Sequence, residues 1–252
     1  MKIICVYNQK GGVGKTTTVI NLASSLALRD KKVLIVDMDP QGNASSGLGI
    51  DKNNLENTVY EYLHGESFEN VLMETSSEGV DILPSNSSLA GFEIEAVTWD
   101  RREFVLKNRV GDFEGYDFVL IDCPPSIGLL SLNSLCASDS VLVPIQTEYY
   151  ALEGVSQLIQ TITMIQNSLN PNLEIEGVLL SMYDGRTRLS LEVLEEVKKF
   201  FKDKVFSTVI PRNVTLAEAP SYGLSIFDYD HLSRGAVAYK RLGKEIIENN
   251  ED

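Results

Sequence analysis

A glycine-rich loop, placed between an apolar run and a helical pattern, constrains the fold of this chain more than any other feature. Residues 10–17 read KGGVGKTT and directly follow a short apolar run. Phosphate-binding loops of the form Gly-x4-Gly-Lys-[Ser/Thr] occupy such strand-to-helix junctions, because backbone N–H groups and the helix dipole attract anions there. The residues at 14–16 fit this form, whereas Gln9 replaces its first glycine and Lys10 is an extra lysine. The loop therefore predicts a nucleoside triphosphate site with an unusual second lysine.

The expected role of each loop residue follows from its chemistry. Glycines let the backbone approach an anion, because no Cβ stands in the way. Lys15 is expected to reach the β- and γ-phosphates, and the Thr16 hydroxyl is expected to take one coordination position of Mg²⁺. The predicted nucleotide-binding residues of the loop are Gly11, Gly12, Val13, Gly14, Lys15, Thr16 and Thr17.

Two carboxylate motifs follow apolar runs elsewhere in the chain. Asp122 ends the run that begins at Phe118, as an aspartate near Mg²⁺ at the end of a strand should. Asp37 and Asp39 follow the run at 33–36, and alternate side chains of an extended segment point the same way. Either motif alone is compatible with a structural turn. Together with the loop, both indicate carboxylates that face the phosphates.

Apolar runs alternate with helical patterns along the whole chain. Continuously apolar runs are typical of parallel strands buried on both faces. The predicted strands lie at 3–7, 33–37, 80–84, 118–122, 140–144, 175–182 and 205–210. The predicted helices lie at 16–29, 101–109, 129–136, 151–169, 189–201 and 233–247. The alternation predicts an α/β fold: a doubly wound, mostly parallel sheet with helices on both faces, in a single domain over residues 1–252.

The predicted helix at 189–201 illustrates how the apolar pattern orients a helix. Leu191, Leu194, Val197 and Phe201 recur at steps of three and four residues. Such spacing is typical of a stripe that faces the core, so we expect these four side chains to be buried.

The charge distribution limits the partners that this chain can bind. The net charge is −14; residues 1–180 carry 11 basic and 24 acidic side chains, whereas residues 181–252 carry 11 and 12. An acidic body repels nucleic-acid phosphates everywhere except at a local basic patch. If DNA is a partner, the patch is expected in the last third of the chain.

The sequence contains no signal for a membrane or for secretion. No run of about eighteen apolar residues is present, and the start lacks the apolar stretch and cleavage site of a secretory signal. Cys5, Cys123 and Cys136 lie far apart in apolar surroundings, without the paired spacing of a metal or redox site. We therefore expect buried thiols in a reducing cytoplasm.

Several segments together resemble one protein family. They are KGGVGKTT at 10–17, VDMDPQGN at 36–43, IDCPPS at 121–126, ASD at 137–139, EYYALEG at 148–154, IPRN at 210–213 and EAPSYG at 218–223. This set resembles the ParA/MinD group of deviant Walker ATPases, and most of all the short Soj-type ParA proteins that segregate chromosomes or plasmids. The resemblance covers nearly the whole chain. It implies a P-loop ATPase of the deviant Walker A class that hydrolyses ATP with Mg²⁺.

The resemblance also implies roles for individual residues. Lys10 matches the signature lysine that crosses a dimer interface to the partner's nucleotide, and Gly12 matches a glycine at that interface. Asp39 matches the carboxylate that positions the attacking water, so Lys10, Lys15 and Asp39 are the predicted catalytic residues. Asp37 and Asp122 match groups that organise Mg²⁺ together with Thr16. The segment that matches the border of the adenine comprises Pro211 and Asn213.

A DNA-binding role is implied in the same way. Arg186 matches an arginine with which Soj-type proteins bind DNA without sequence specificity. The predicted DNA-binding residues are Arg186, Arg188, Lys198 and Lys199. The loop starts at residue 10, so we expect no helix-turn-helix domain before it and no operator-specific binding. The implied protein is cytoplasmic and associated with the nucleoid.

The implied function is a switch with two kinds of partner. ATP would produce a homodimer that binds DNA, and a ParB-like protein would stimulate hydrolysis. One alternative is a related ATPase that positions another cargo. A MinD-like membrane ATPase would need a basic amphipathic helix at the end, whereas residues 245–252 are largely acidic, so we expect no membrane partner. A metabolic or electron-transfer relative would need cluster-bridging cysteines, and only Cys123 lies near the site.

Overall fold

Eight strands form one sheet in the computed structural model, which describes residues 1–148 and 151–251. Tyr149 and Tyr150 of the 148–154 segment, and Asp252, lie outside the described residues. The strands are β1 Lys2–Val6, β2 Val33–Asp37, β3 Met73–Glu74, β4 Val80–Leu83, β5 Phe118–Asp122, β6 Ser140–Gln146, β7 Glu174–Tyr183 and β8 Val205–Pro211. The seven predicted strands are therefore confirmed with small shifts at their ends, and β3 is an addition that is only two residues long.

The helices connect these strands and cover both faces of the sheet. The α-helices are α1 Lys15–Ala27, α2 Asn43–Gly47, α3 Val59–Leu63, α4 Phe68–Val71, α5 Leu89–Glu95, α6 Leu129–Ala137, α7 Ala151–Ser168, α8 Arg188–Phe201, α9 Val214–Glu218, α10 Ile226–Asp230 and α11 Arg234–Glu251. Short 3-10 helices span Ala96–Thr98, Arg102–Phe104, Lys107–Phe113, Lys202–Lys204 and Ala219–Tyr222. In the described part of the chain, no helix combines the length and apolar character that crossing a bilayer requires.

The order of the strands brings the predicted site residues to one edge of the sheet. The order is β3-β4-β2-β5-β1-β6-β7-β8, and every neighbouring pair is parallel except β3 and β4. The centre is β2-β5-β1, in which Asp122 pairs in register with both Asp37 and Val6. The prediction of a doubly wound, mostly parallel sheet is confirmed, and the loop after β1 meets the ends of β2 and β5.

The core lies in two layers, one on each face of the sheet. Alternate side chains of β1 point into opposite layers: Ile3 and Cys5 belong to one cluster of buried residues, and Ile4 and Val6 belong to the other. Because parallel strands are covered on both sides, nearly every residue of the central strands is buried. All three cysteines are buried and free, as predicted.

The predicted helix at 101–109 is wrong, because the structure has two 3-10 segments there. Asn133 of α6 explains the difference. Its amide nitrogen donates to the Arg102 carbonyl at 2.9 Å, and its amide oxygen accepts from the Leu106 N–H at 3.1 Å. These two backbone groups, four residues apart, are the pair that an α-helical hydrogen bond would have joined. A side chain from a distant helix replaces that bond.

The predicted stripe of α8 is wrong at Leu191, and Leu194 is only half-buried. Val197 and Phe201 are buried as expected, but Leu191 is 46% exposed. Ser190 and Val193 are buried on the inner face instead. The helix is therefore rotated relative to the apolar pattern, because a buried serine that forms hydrogen bonds takes a place that the pattern assigns to leucine.

Candidate functional site

The glycine-rich loop adopts a conformation that requires glycine at two positions. Gly12 has φ 74° and Gly14 has φ 90°, both in the left-handed region that side chains with a Cβ avoid. Helix α1 begins immediately afterwards at Lys15. The loop therefore wraps around the N-terminal end of α1, where unpaired backbone N–H groups and the helix dipole favour a phosphate.

Lys15 is held beneath the loop. Its side chain is buried, and its Nζ donates to the Lys10 carbonyl oxygen at 3.2 Å. Burial lowers the pKa of this lysine, while Asp122 and Asp39 act in the opposite direction. An ammonium has three N–H donors, so two remain for an anionic ligand in the loop.

Thr16 and Asp122 form the part of the site that fits Mg²⁺. The Thr16 hydroxyl donates to Asp122 Oδ2 at 2.7 Å, whereas Asp122 Oδ1 is buried without a hydrogen-bond partner. Burial, and then the neighbouring Asp37, raise the pKa of Asp122 well above its usual range. An unpartnered buried carboxylate oxygen beside a hydroxyl is suited to a bound cation or its water.

The magnesium fit does not depend on a cluster of protein ligands. Within residues 1–148 and 151–251, no three His, Cys, Asp or Glu residues lie close enough to hold a metal ion together. Mg²⁺ at nucleotide sites uses one or two protein ligands and takes the rest from phosphates and water. The residues present fit such an ion.

Asp37 lies beside Asp122, on the neighbouring strand β2. It is fully buried; its Oδ2 accepts from the Ser45 backbone N–H at 2.9 Å and from the Ser45 hydroxyl at 2.7 Å, and its Oδ1 accepts from the Asp39 N–H at 3.2 Å. Burial raises the pKa of Asp37 to about 6, against the effect of these hydrogen bonds. These bonds let the carboxylate hold the Asp39 segment and α2 in place. Oδ1 keeps a second lone pair, so the role of Asp37 in organising Mg²⁺ stays a prediction.

Asp39 is the carboxylate that lines the same cavity as the glycine-rich loop. Its side chain is largely buried, and its Oδ1 accepts from the Gln41 N–H at 2.9 Å. Asp39 lines a cavity of about 400 Å³ together with most of the loop; the lining residues are Gly11, Gly12, Gly14, Lys15, Thr16, Thr17, Asp39, Gln41, Asn43, Pro125 and Met182. The predicted loop residues therefore surround one cavity, apart from Val13, whose side chain is buried elsewhere.

A second, more apolar cavity of about 330 Å³ adjoins the first. It shares Gly14, Thr17 and Met182 with the first cavity, which we call the phosphate cavity because the glycine-rich loop lines it. The other lining residues of the second, apolar cavity include Pro211 and Asn213. Asn213 also caps α9, because its Oδ1 accepts from the Leu216 N–H. The two cavities together match a nucleotide, with polar groups and glycines around the phosphates and apolar walls around a base.

Lys10 does not line the phosphate cavity. Its side chain is 40% exposed, and its Nζ lies 3.4 Å from Oε2 of Glu148, which is 47% exposed. A pair this exposed contributes at most about 1 kcal/mol. The second lysine thus lies at the rim of the site, bound only weakly to its own chain.

Comparison with known proteins assigns the family. The sequence model of the AAA domain family matches residues 1–175. The sporulation initiation inhibitor protein Soj of Bacillus subtilis is 54% identical over 250 residues, which cover 98% of this chain and 99% of that protein. The chromosome partitioning protein ParA of Myxococcus xanthus is 49% identical, over 99% of this chain and 89% of that protein. The chain belongs to the ParA/MinD family of ATPases.

One solved structure agrees with the fold and with the predicted ligands. The crystal structure of cobyrinic acid a,c-diamide synthase from Mycobacterium smegmatis with bound ADP and magnesium has a TM-score of 0.88 and 36% identity, and the match covers 100% of this chain and 96% of that one. An adenine nucleotide with magnesium in this neighbour agrees with the prediction of ATP and Mg²⁺ as cofactors.

The structure does not bring the predicted DNA-binding residues into one patch. Arg186 and Arg188 flank the start of α8, whereas Lys198 and Lys199 lie near its end, roughly 15 Å away at 1.5 Å per residue. Three of the four already have acidic partners: Arg186 binds Asp184 at 2.7 Å, Arg188 binds Glu192 at 2.7 Å, and Lys199 pairs with Glu196.

Sequence reasoning missed four residues that the structure brings to the site. Ser45 holds Asp37, Glu148 pairs with Lys10, and the Ser181 hydroxyl donates to the Val13 carbonyl at 2.7 Å. Met182 borders both cavities. Two signals were present in the sequence. Glu148 begins the 148–154 segment that carries the family resemblance, and Ser181 and Met182 lie at the end of a predicted parallel strand, beyond which ligands of such sheets bind.

Proposed function

We propose that this chain is an ATP-dependent, dimerising ATPase that acts in chromosome or plasmid partitioning. In the ATP state, two copies would form a homodimer that binds DNA without sequence specificity, and a ParB-like protein would stimulate hydrolysis. The observation that carries the dimer is the position of Lys10, which lies at the rim and outside the phosphate cavity of its own subunit. The chain would act as one ATPase domain in the cytoplasm, associated with the nucleoid.

The geometry supports a division of tasks within the site. Lys15 and the loop N–H groups would bind the phosphates, while Thr16 and Asp122 would hold Mg²⁺, which neutralises charge on the β- and γ-phosphates when bound. Asp39 would orient the attacking water. Lys10 of a second subunit would add positive charge where negative charge develops, so hydrolysis would depend on dimerisation.

The surface around the loop leaves room for such a second subunit. A Cβ built on Gly12 meets no other atom of this chain within 4 Å. The positive φ of Gly12 is by itself sufficient reason for a glycine at this position. In addition, no other atom of this chain covers Gly12, so the backbone of another chain could approach it closely.

Replacing Lys10 with alanine tests the dimer directly. We expect Lys10→Ala to keep its affinity for MgATP, because the side chain lies outside the cavity, and to lose ATP-dependent dimerisation. Hydrolysis should fall by at least about 100-fold, the usual cost of removing a charge that acts on the transition state. Light scattering and single-turnover phosphate release measure the two effects. Lys2→Ala, which removes a lysine paired with Glu176, is the control. Normal ATP-dependent dimerisation of Lys10→Ala would refute the proposal that Lys10 acts in the partner's nucleotide site.

The start of α8 is the surface proposed for DNA. We expect Arg186→Glu to weaken DNA binding by the ATP dimer and to reduce the slope of log K against log salt by roughly 1 for each lost phosphate contact. Dimerisation should be unchanged, because the Arg186 side chain is 91% exposed and binds only its neighbour Asp184 in the described structure. Fluorescence anisotropy over a salt series measures the effect, with Lys107→Glu as a charge-matched control. An unchanged slope would contradict this surface.

The partitioning role as a whole is tested by DNA co-sedimentation. Purified protein is mixed with DNA in the presence of ADP, ATP or no nucleotide, across a range of salt concentrations. Binding that requires ATP and weakens with salt supports the proposal. Binding to anionic lipid vesicles instead would favour a MinD-like role. One observation speaks against α11 as a membrane-binding helix: its apolar residues Tyr239, Leu242 and Ile246 are buried against the body of the protein.

Two other roles remain as alternatives within the family. The same switch could position a cargo other than DNA, and a ParB-like reading frame beside the gene would favour partitioning. The structural neighbour from Mycobacterium smegmatis carries the name of a metabolic enzyme, but its identity of 36% is below the 54% and 49% of the partitioning relatives.

A further inference from the structure

Met182, near the end of β7, has a backbone conformation that a bulky residue rarely adopts. Its φ is 50°, in the left-handed region where a Cβ crowds the following carbonyl oxygen. The other non-glycine residues with positive φ in residues 1–148 and 151–251 are Asp30, Arg101 and Lys202, and all three are exposed. Met182 is half-buried at the nucleotide site. A strained residue in such a place persists because its surroundings hold it there.

Met182 borders both cavities of the nucleotide site. Three residues line both the phosphate cavity and the apolar cavity, and the other two, Gly14 and Thr17, belong to the loop and α1. A nucleotide that occupies both cavities therefore passes Met182. Its flexible, polarizable thioether is suited to packing against the ribose or the base.

A chain of buried hydroxyl groups leads from Met182 to the first turn of α8. The Thr147 hydroxyl donates to the Met182 carbonyl oxygen at 3.4 Å, and the Ser190 hydroxyl donates to Thr147 at 3.2 Å. The Thr187 hydroxyl lies 2.8 Å from that of Ser190 and accepts from the Ser190 N–H, which makes Thr187 the N-cap of α8. Thr147 and Ser190 are 6% and 3% exposed, so water cannot readily replace these bonds.

The neighbouring backbone ties the same segment to the loop. The Ser181 hydroxyl donates to the Val13 carbonyl, and the Thr147 N–H donates to the Ser181 carbonyl at 3.3 Å. A change in the loop or at Met182 therefore reaches Thr147 through two sets of bonds. Since an unpaired buried hydroxyl is costly, a shift of the Met182 carbonyl is expected to move Thr147, Ser190 and the helix cap together.

We propose that Met182 contacts the bound nucleotide and, through the Thr147 and Ser190 hydroxyls, sets the position of the first turn of α8. Met182 is then a nucleotide-binding residue, while Thr147 and Ser190 are positioning residues that act through it. The proposal needs neither DNA nor a second subunit, so its outcome is separate from that of the partitioning role.

Hydrogen exchange of the purified full chain tests the connection, with Mg·ADP and a non-hydrolysable ATP analogue with Mg²⁺ as the probes. We expect either nucleotide to slow exchange severalfold at the backbone amides of residues 188–191. Thr147→Val should abolish this response and leave the affinity for Mg·ADP unchanged. Ser190→Ala breaks the same chain at another hydroxyl and decides the matter if Thr147→Val does not fold. Ser134→Ala is the matched control, because that buried hydroxyl donates to Leu130 within α6.

A second measurement tests the contact itself. Met182→Ala should weaken Mg·ADP binding by about tenfold, as expected for the loss of apolar packing against a ligand. Unchanged affinity of Met182→Ala would overturn the contact. The connection would be overturned if the native chain showed no nucleotide response at residues 188–191, or if that response persisted in both Thr147→Val and Ser190→Ala.

Discussion

Lys15→Ala is expected to lower the affinity for MgATP by at least about 100-fold, because it removes a buried positive charge directed into the loop. Truncating one partner of a buried charge pair costs about 3 kcal/mol or more, which corresponds to that factor. The side chain is 7% exposed, and its Nζ is fixed 3.2 Å from the Lys10 carbonyl oxygen. The phosphates would meet a charge that is already in position, without the entropic cost of ordering it.

Calorimetric titration with a non-hydrolysable ATP analogue and Mg²⁺ measures this loss. Lys244→Ala is the appropriate control, because Lys244 is an exposed lysine that pairs with Glu248 on α11, away from the cavities. The variant is expected to fold, because Lys15 forms one hydrogen bond to the loop and α1 begins from the backbone of Gly14. Affinity equal to that of the native protein would remove the loop from the nucleotide site.

Asp39→Ala is expected to retain MgATP and to lose hydrolysis by at least about 100-fold. A carboxylate that positions or deprotonates water contributes roughly 100- to 10,000-fold to the rate. Asp39 lines the phosphate cavity, whereas Asp37, two residues earlier, has both oxygens occupied by hydrogen bonds. Because ATP would bind but not be consumed, the variant should accumulate as the ATP dimer, which light scattering detects alongside single-turnover phosphate release.

Asp39→Asn separates chemistry from structure at this position. The amide oxygen can still accept from the Gln41 N–H, so the local turn is preserved while the charge is lost. Asp51→Asn is a matched control, because Asp51 Oδ1 accepts from the N–H of Asn53 in the same two-residue arrangement on an exposed turn. Rapid hydrolysis by Asp39→Asn would assign the water to another group.

The sequence was sufficient for features that local chemistry determines. The loop needs glycine at 12 and 14 for its backbone, and the carboxylates follow strands that the parallel sheet places side by side. Their distances to one another, however, depend on the strand order, since only β2-β5-β1 brings Asp37 level with Asp122. The family resemblance supplied the roles of Lys10 and Asp39, which spacing alone does not reveal.

Features that depend on contacts between residues far apart in the chain could not be predicted from the sequence. Asn133 replaces an α-helical hydrogen bond at Arg102 and Leu106, and nothing near residue 102 indicates this. Met182 lies within an apolar run that reads as an ordinary strand, and its left-handed backbone emerges only from its neighbours. The four basic residues near α8 form a group in the sequence, but the length of the helix separates them and nearby acids neutralise most of their charge.

The acidic partners at the start of α8 determine how a polyanion would be held there. Arg186 contacts both oxygens of Asp184, at 2.8 and 2.7 Å, and this arginine lowers the pKa of the carboxyl to about 2. A phosphate arriving at Arg186 must therefore displace a carboxylate that stays ionised throughout the physiological range. The exchange of one anion for another yields little net energy per contact. In the proposed role, each subunit would hold DNA loosely and release it quickly, and retention would come from two subunits acting together.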